Sequence, residues 1–354
     1  MTDLNERGGI NGRKIKLIFE DNAGAGVKAG ADIKKFAGAK VNIVVLSGPS
    51  GIYAPAFEEA KRANIPVLVL AIGPHETVPP KVERLVYGAT WGNAKNATGV
   101  IVRIVKEEFA QRVKMPVWGI GGIDIPVSRK GAEQQGEIGE KLGLKTVVKI
   151  APLGTMDYTP IATSMMDASC NIVSTWGPAG LTIGLFKALN KIGYKGVLYI
   201  NTPDSPEQFV ELMKEHPSIV YSHPNLNPFW ADFPVDKEIK AKAEKQGVRV
   251  NSGLKDGWWY GRVVEEVLKR AAWPVTTENL VTILDHLDLD FGPAFPPVKF
   301  TPADHQGPYF VNGWSWNPKE KRFIVVLPWY VSNAAGTEIK VFPKSVGFPK
   351  VRFE

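Results

Sequence analysis

Small and hydroxyl-bearing residues follow an apolar run near the start of the chain, in an arrangement suited to holding an anion. The segment "SGPSGIY" comes after "VNIVVL" and opens the helical pattern "YAPAFEEAKRAN". Ser47 and Ser50 supply hydroxyl groups, Gly51 permits close approach to the backbone, and free N–H groups at a helix start attract carboxylates. Serine is also a preferred helix N-cap. The segment therefore predicts either an anion site or a capped helix.

Three larger side chains also lie near the ends of predicted strands or in the segments that follow them, and each has two interpretations. Trp176 in "NIVSTWGP" is either an aromatic wall for a ligand or a core residue. Asp204 in "INTPDSPE" is either a ligand contact or a helix cap, because Pro206 suits a first helical turn. Tyr53 lies either over the ligand or on the surface.

Patterns typical of enzymes and metal sites are missing from the sequence. "GIGGID" ends in Asp124 where a dinucleotide-binding loop has glycine, and no Gly-x-Ser-x-Gly elbow occurs. The five histidines have no metal-ligand spacing, and "DHLDLDFG" lacks the spaced ligands of a calcium loop. We therefore expect no catalytic residues, no metal and no cofactor, and an α/β enzyme is the least favoured alternative.

Composition restricts the class of partner. Net charge is +7, but the basic residues alternate with acidic ones along predicted helices, which is typical of solvated helix faces. A nucleic-acid partner is not expected, since a binding surface would cluster basic and aromatic residues. The single cysteine, Cys170, lies in the apolar context "MMDASCNIVST" and is predicted to be a buried thiol.

Apolar runs alternate with amphipathic helical patterns along most of the 354 residues, which predicts an α/β protein with largely parallel sheets. "KIKLIFED", "VNIVVLSGPS", "IPVLVLAIG" and "MPVWGIGGID" are among the predicted strands. Such units could close into one barrel or form two open lobes. The segment "GPYFVNGWSWNPKEKRFIVVLPW" predicts a hairpin, which does not belong in an eight-fold barrel. Two lobes are therefore favoured.

A family resemblance extends over most of the chain in consistent order. The stretches that carry it are "GGINGRKIKLIFED", "IVVLSGPSGIYAPAFEEAKRANIPVLVL", "GATWGNAKNATGVIVRIVKEEF", "GTMDYTPIATSMMDASCNIVSTWGPAGLTIGLFKALNKIGYKG" and "DHQGPYFVNGWSW". Together they resemble the branched-chain amino acid type of periplasmic substrate-binding protein, a type I extracellular receptor that serves ABC importers. The ordered set is specific for the family and says little about the ligand.

The resemblance implies a fold and a role. The fold would be two doubly wound, Rossmann-like lobes joined by a three-crossing hinge, the periplasmic binding protein type I architecture. Residues 1–116 with 250–314 would form lobe 1, and 117–249 with 315–354 would form lobe 2. The implied function is a monomeric periplasmic receptor that captures an amino acid (Leu, Ile or Val in the type case), or an aromatic or aliphatic carboxylate, between its lobes. It would deliver this small-molecule solute to ABC transporter permease subunits.

In lobe 1, the resemblance assigns roles in binding the ligand carboxylate. Ser50 stands where the family has a carboxylate-binding serine. Ala71 opens the loop that holds Ala-Thr or Ser-Thr in the family, and Thr77 matches the threonine best. Both loops would grip the same carboxylate.

In lobe 2, the implied contacts depart from the family pattern. Asp124 is retained, but Ile125 or Pro126 stands where an aromatic residue is usual. Trp176 occupies a loop that often carries a tyrosine, and Asp204 matches the acid that meets an ammonium group. The lost aromatic residue weakens the case for an amino-acid ligand.

The start of the chain differs from the family pattern, in which a signal peptide, a first strand and a helix come first. Here Met1 falls within the position of that helix, and "MTDLNERGG" is polar. The resemblance thus predicts a misplaced start or a fragment that lacks the first strand of lobe 1. A cytoplasmic ligand-sensing regulator of the same fold is the alternative, because no leader is present in this sequence.

Overall fold

The computed structural model divides the chain into two compact units. It describes residues 2–70, 75–80, 82–88, 94–201, 206–224, 227, 229–307, 309–333, 336–342 and 347–348. Unit 1 comprises Met1–Asn93 and Asp232–Gly307, and unit 2 comprises Ala94–Ala231 and Pro308–Glu354. The chain therefore passes from one unit to the other three times, as the predicted three-crossing organisation requires.

The described residues form eleven α-helices. They are α1 Thr2–Glu6, α2 Gly26–Gly38, α3 Tyr53–Ala63, α4 Ala94–Ile104, α5 Pro126–Lys141, α6 Thr159–Asp167, α7 Ala179–Lys191, α8 Val210–Glu215, α9 Pro234–Lys245, α10 Ser252–Arg270 and α11 Thr277–Leu284.

They also form thirteen strands. These are β1 Val44–Leu46, β2 Val67–Val69, β3 Val86–Gly88, β4 Val117–Ile123, β5 Lys145–Ala151, β6 Ile172–Trp176, β7 Val197–Asn201, β8 Val220–Pro224, β9 Asp288–Leu289, β10 Val298–Lys299, β11 Tyr309–Asn317, β12 Arg322–Ser332 and β13 Ile339–Val341.

Unit 1 is built on a three-stranded parallel sheet in the order β1-β2-β3. Every residue of β2 and β3 is buried, as the continuous apolar run "IPVLVL" predicts for a strand covered on both faces. Helices α2 and α3 pack against each other, and Ile33 and Ile52 join the sheet in one apolar core. Strand β1 pairs only with β2 among the described residues, so its other edge is open there.

The predicted strand "KIKLIFED" is wrong as a strand. Residues 14–21 follow a tight turn, in which Ile10 and Arg13 exchange backbone hydrogen bonds, but they pair with no strand in the described ranges. Leu17 is 68% exposed and Phe19 is 81% exposed. An alternating sequence forms a strand only where a neighbouring backbone pairs with it, and the described part of unit 1 offers none at this position.

Unit 2 is built on an eight-stranded mixed sheet in the order β13-β12-β11-β8-β7-β6-β4-β5. Strands β5, β4, β6, β7 and β8 are parallel, and β11, β12 and β13 extend the sheet by antiparallel pairing. All seven residues of β4 are buried. Helices α5 and α7 pack on it, which confirms the predicted alternation of buried strand and crossover helix.

The predicted hairpin is confirmed as β11 and β12. Its turn is held by Asn317, whose side-chain oxygen accepts the N–H groups of Lys319 at 3.0 Å and Glu320 at 3.2 Å. Such a side chain mimics a backbone turn, which is why Asn-Pro-Lys-Glu reads as a reversal of the chain. The hairpin attaches to β8 and so belongs to an open sheet.

The unit boundaries differ from the predicted ones in three places. The sequence places residues 94–116 in lobe 1, but α4 packs against α5 and β12 of unit 2. It places 232–249 in lobe 2, whereas α9 contacts α10 in unit 1. A boundary at 314 would also cut the continuous strand β11. Helical periodicity identifies these elements, but it does not show which sheet each element packs against.

Cys170 is confirmed as a buried thiol, with 4% of its surface exposed. Burial raises its pKa to about 11, so little reactive thiolate exists near neutral pH. We expect the native protein to react very slowly with a thiol-specific disulfide reagent at roughly pH 8. The same protein in guanidinium chloride should react at once and stoichiometrically. Rapid reaction of the native protein would contradict the burial.

Candidate ligand-binding site

The loop after β1 presents the first group of predicted ligand contacts. Ser47 is exposed, and Ser50 is half-buried at the start of a short 3₁₀ turn that leads into α3. Neither that turn nor α3 has a side-chain cap, so the capping interpretation of Ser50 is wrong. Gly51 is exposed, and a Cβ there would meet nothing within 4 Å. The loop thus offers accessible hydroxyl groups and open backbone, and its contact with a ligand stays a prediction.

Tyr53 is the first residue of α3 and is buried, with 7% of its surface exposed, so the surface alternative is wrong. Its ring stacks on Phe57 at 5.4 Å between centroids. Burial raises the pKa of the Tyr53 hydroxyl, and the negative charge of Glu76 acts in the same direction. The hydroxyl therefore remains a hydrogen-bond donor at any physiological pH.

A groove of about 490 Å³ lies beside this tyrosine, between the start of α3 and residues 76–83. Its charged lining residues are Glu58, Glu76, Glu83 and Lys61. Three carboxylates against one ammonium group make the groove repulsive to anions. We therefore do not place a carboxylate ligand in this groove.

Thr77 is fully buried in a turn after β2, next to residues from the end of unit 1. Its hydroxyl donates to Oε1 of Gln306 at 3.2 Å, and its carbonyl accepts the N–H of His305 at 2.8 Å. The carbonyl of His305 in turn accepts the N–H of Gly88, the last residue of β3, at 2.9 Å. These bonds hold Thr77 at the carboxyl end of β3, the edge where open α/β sheets bind ligands.

The ring of His305 contacts β3 and Asp285, and these contacts hold the 304–306 segment next to Thr77. Nδ1 lies 2.9 Å from the carbonyl oxygen of Val86, and Nε2 lies 3.2 Å from Oδ1 of Asp285. The Tyr87 hydroxyl donates to the same Oδ1 at 2.7 Å, and its ring stacks on the imidazole with centroids 4.0 Å apart. Both ring nitrogens of His305 therefore lie within hydrogen-bond distance of an oxygen atom, which fixes the orientation of the ring.

In unit 2, the carboxyl ends of β4 and β6 are tied together by a residue that the sequence did not single out. Ser128 is 2% exposed; its hydroxyl oxygen accepts the N–H of Ile123 at 2.9 Å and donates to the carbonyl of Trp176. Since Ser128 lies in the first turn of α5, this bond also fixes the loop that carries Asp124 and Ile125.

Asp124 and Ile125 differ in how far their side chains are exposed to a ligand. Asp124 is exposed, and its carboxylate is 2.8 Å from the guanidinium of Arg129, which lowers the pKa of Asp124. Arg129 also pairs with Glu133 at 3.3 Å. Ile125 is half-buried at the N-terminus of α5 and packs against the core of unit 2. A ligand contact by either residue stays a prediction.

Trp176 is 3% exposed and has the environment of a core residue. Its indole N–H donates to the carbonyl of Val127 at 3.2 Å, and its ring lies against Gly131 of α5. A contribution of Trp176 to a ligand wall stays a prediction. The remaining two predicted contacts, Ala71 and Asp204, lie outside the described residues.

The structure brings Thr77 together with Gln306, which sequence analysis missed. The triplet "DHQ" at 304–306 lies within a stretch that carries the family resemblance. No spacing rule connects it to the loop after β2, because the two residues are 229 positions apart.

Membrane-spanning helices and metal-binding clusters are both absent from the described part of the chain. None of its helices is long and apolar enough to cross a bilayer. Within the same ranges, no group of three or more His, Cys, Asp or Glu side chains is placed to hold a metal ion.

Comparison with known proteins identifies the family. A family model described as "Periplasmic binding protein" matches residues 1–312. No curated protein matches the chain. Many solved structures share its fold at low sequence identity, among them three at 16%.

Three solved structures illustrate the range of similar proteins. A branched-chain amino acid ABC transporter protein from Thermus thermophilus with bound valine has a TM-score of 0.79 at 16% identity, over 94% of this chain and 90% of that one. A fatty acid ABC transporter substrate-binding protein from Thermomonospora curvata has a TM-score of 0.77 at 16% identity, over 98% of this chain and 88% of that one. An R. palustris solute-binding protein in complex with 4-hydroxybenzoate has a TM-score of 0.76 at 16% identity, over 92% of this chain and 88% of that one. Because the family model covers most of the chain, this chain belongs to the family of type I periplasmic binding proteins.

Proposed function

We propose that this chain is an extracytoplasmic solute receptor that binds a small carboxylate or amino acid and delivers it to the permease subunits of an ABC importer. Membership of the periplasmic binding protein family carries the proposal. The similar proteins from T. thermophilus, T. curvata and R. palustris are components of such transporters. The proposal assigns no catalytic step to any residue, and it treats the receptor as a periplasmic monomer.

The carboxylate is the group that we propose the protein recognises. Valine, fatty acids and 4-hydroxybenzoate differ in size and shape but share a carboxylate, and these names appear for similar proteins. In this chain, the accessible hydroxyl groups of Ser47 and Ser50 and the protonated hydroxyl of Tyr53 support anion binding. Gly51, Ala71 and Thr77 complete the proposed carboxylate contacts of unit 1.

The rest of the solute would meet residues of unit 2. We propose Ile125 and Trp176 as contacts of its apolar or aromatic body, Asp124 as a polar contact, and Asp204 as the partner of an ammonium group if the solute is an amino acid. The carboxylate of Asp124 is already paired with Arg129 at 2.8 Å. The choice between an amino acid and a simple carboxylate therefore depends on Asp204.

A ligand screen tests the proposal. Thermal unfolding of the purified protein would be followed with valine, leucine, octanoate, benzoate and 4-hydroxybenzoate, with D-glucose as a neutral control. A ligand at 100 times its Kd stabilises the folded state by about 2.7 kcal/mol, which raises Tm measurably. We expect a rise with one class of carboxylate and none with glucose. Binding of glucose in place of every carboxylate would contradict the proposal.

Replacing Ser50 with alanine tests the anion contact. A hydrogen bond to a charged group contributes about 1.5–3 kcal/mol. We therefore expect the Kd for the carboxylate found in the screen to rise about 10- to 100-fold, measured by calorimetry. Ser218→Ala, at an exposed serine of unit 2, is the matched control and should leave the Kd unchanged. Equal affinities for the two variants would remove Ser50 from the site.

A further inference from the structure

Gln306 has a buried amide group whose donor has no partner. The residue is 4% exposed, and its Oε1 accepts the Thr77 hydroxyl at 3.2 Å. Its Nε2 is buried and forms no hydrogen bond within the described ranges of the chain. A buried N–H group without an acceptor is destabilising, because it has lost its hydrogen bond to water. An acceptor that arrives with a ligand would remove this cost.

The backbone around Gln306 is held rigidly by short local bonds. The carboxylate of Asp304 accepts the N–H of Gln306 at 2.9 Å and the N–H of Gly307 at 3.1 Å. Gly307 has a φ of +72°, and a Cβ there would lie 2.8 Å from the carbonyl oxygen of Lys299. Glycine is therefore required beside Gln306. A group fixed in this way loses little conformational entropy when it binds a ligand.

The position of Gln306 is that of a ligand contact in a parallel α/β sheet. His305 connects to both Thr77 and the last residue of β3, so Gln306 lies at the carboxyl end of that strand. Thr77 is itself a proposed carboxylate contact, through a group other than its hydroxyl, whose single proton is donated to Gln306. Its bond to Oε1 orients the Gln306 amide so that the oxygen is used internally and the nitrogen is left to donate.

We propose that the side-chain amide of Gln306 donates a hydrogen bond to the carboxylate of the bound solute. The inference rests on the proposed function and adds a specificity determinant to it. Thr77 and the Asp304 carboxylate orient Gln306, and the solute carboxylate takes the free N–H. An amide in this position selects an acceptor, and it disfavours a carboxamide whose own N–H₂ group would face the donor.

The test compares carboxylates with their carboxamides on three forms of the protein. The probes are the pairs valine and valinamide, octanoate and octanamide, benzoate and benzamide, and 4-hydroxybenzoate and 4-hydroxybenzamide. Gln306→Met removes the donor at similar volume, and Gln306→Glu replaces it with an acceptor. Gln246→Glu, at an exposed glutamine of unit 1, is the control for added charge. Calorimetry gives each Kd, and circular dichroism shows that each variant is folded.

Three results are expected. The parent protein should prefer the carboxylate of at least one pair. Gln306→Met should weaken that carboxylate about 10- to 100-fold, the range for a hydrogen bond to a charged group. Gln306→Glu should weaken it more and reverse the preference, since the new carboxylate repels the anion and accepts from the carboxamide. A structural role alone would weaken both members of the pair equally.

The outcomes separate the two proposals. Absence of carboxylate binding by the parent protein would overturn the proposed function and this inference with it. Binding by the parent protein with an unchanged Kd in folded Gln306→Met would overturn the inference alone. A parent protein that prefers the carboxamide would also overturn it, because the Gln306 amide would then present its oxygen. If Gln306→Glu does not fold, Gln306→Met decides the question by itself.

Discussion

Replacing Lys255 with methionine is expected to lower the free energy of unfolding by about 3–5 kcal/mol. The ammonium group of Lys255 lies 2.6 Å from Oδ1 of Asp236, and both side chains are fully buried. The rings of Phe233 and Phe295 lie 5.8 and 5.5 Å from the same nitrogen. Burial lowers the pKa of Lys255, and the bond to Asp236 opposes that shift. Methionine keeps the apolar stem but leaves a buried carboxylate without its cation.

A second substitution separates the lost charge pair from lost packing. Asp236→Asn removes the carboxylate charge and keeps an oxygen that can accept the N–H of Phe233, which starts α9. We expect Lys255→Met combined with Asp236→Asn to recover about half of the loss or more, since no isolated charge remains. Chemical denaturation gives each free energy.

The control is an exposed ion pair of similar length. Lys214 and Glu211 lie 2.9 Å apart on the surface of α8, with side chains 43% and 81% exposed. Lys214→Met should cost no more than about 1 kcal/mol, because solvent screens such pairs. If Lys255→Met cost no more than Lys214→Met, the buried pair would not contribute as its geometry indicates.

Replacing Gly131 with alanine is expected to destabilise the protein by about 2–3 kcal/mol, although alanine is the better helix former. Gly131 lies within α5, and a Cβ there would be 2.0 Å from Nε1 of Trp176. Relief of that overlap requires the indole to move, which breaks its 3.2 Å bond to the carbonyl of Val127. The overlap and the lost bond outweigh a gain of about 1 kcal/mol in helix propensity.

Replacing a different glycine with alanine should raise the stability of the protein instead of lowering it. Gly257 lies exposed inside α10, and a Cβ there would meet nothing within 4 Å. Gly257→Ala should therefore stabilise the protein by about 0.5–1 kcal/mol. Thermal unfolding measures the stability of both variants. If Gly131→Ala left the stability unchanged, α5 and the indole of Trp176 could move apart at little cost in free energy.

Sequence alone predicts elements whose pattern is local. The apolar run of β2, the turn at Asn317 and the burial of Cys170 follow from residue type and immediate neighbours, and each is confirmed. The packing of α4 on unit 2 is not local in this sense. An amphipathic helix shows that it has an apolar face, but any apolar sheet satisfies that face equally well.

The candidate site shows the same division. Ser50 and Tyr53 are predicted from the sequence because they follow a recognisable strand and open a helix. Gln306 is missed because its importance comes from a contact with a residue 229 positions away and from a donor left without a partner. Neither property has a signature in composition or spacing. Only the folded backbone brings the two side chains to the same strand end.

The edge of β1 that pairs with no strand within the described ranges also affects how the protein behaves in concentrated solution. Backbone groups on an edge strand can pair with the same edge of a second molecule, and exposed apolar side chains promote such pairing. Elsewhere in unit 1, Leu17 and Phe19 expose apolar surface, and the adjacent exposed Lys16 opposes close approach of a second molecule by charge repulsion. Salt screens that repulsion. Storage at high ionic strength should therefore favour self-association of this chain, and dilute, low-salt solutions should preserve single molecules.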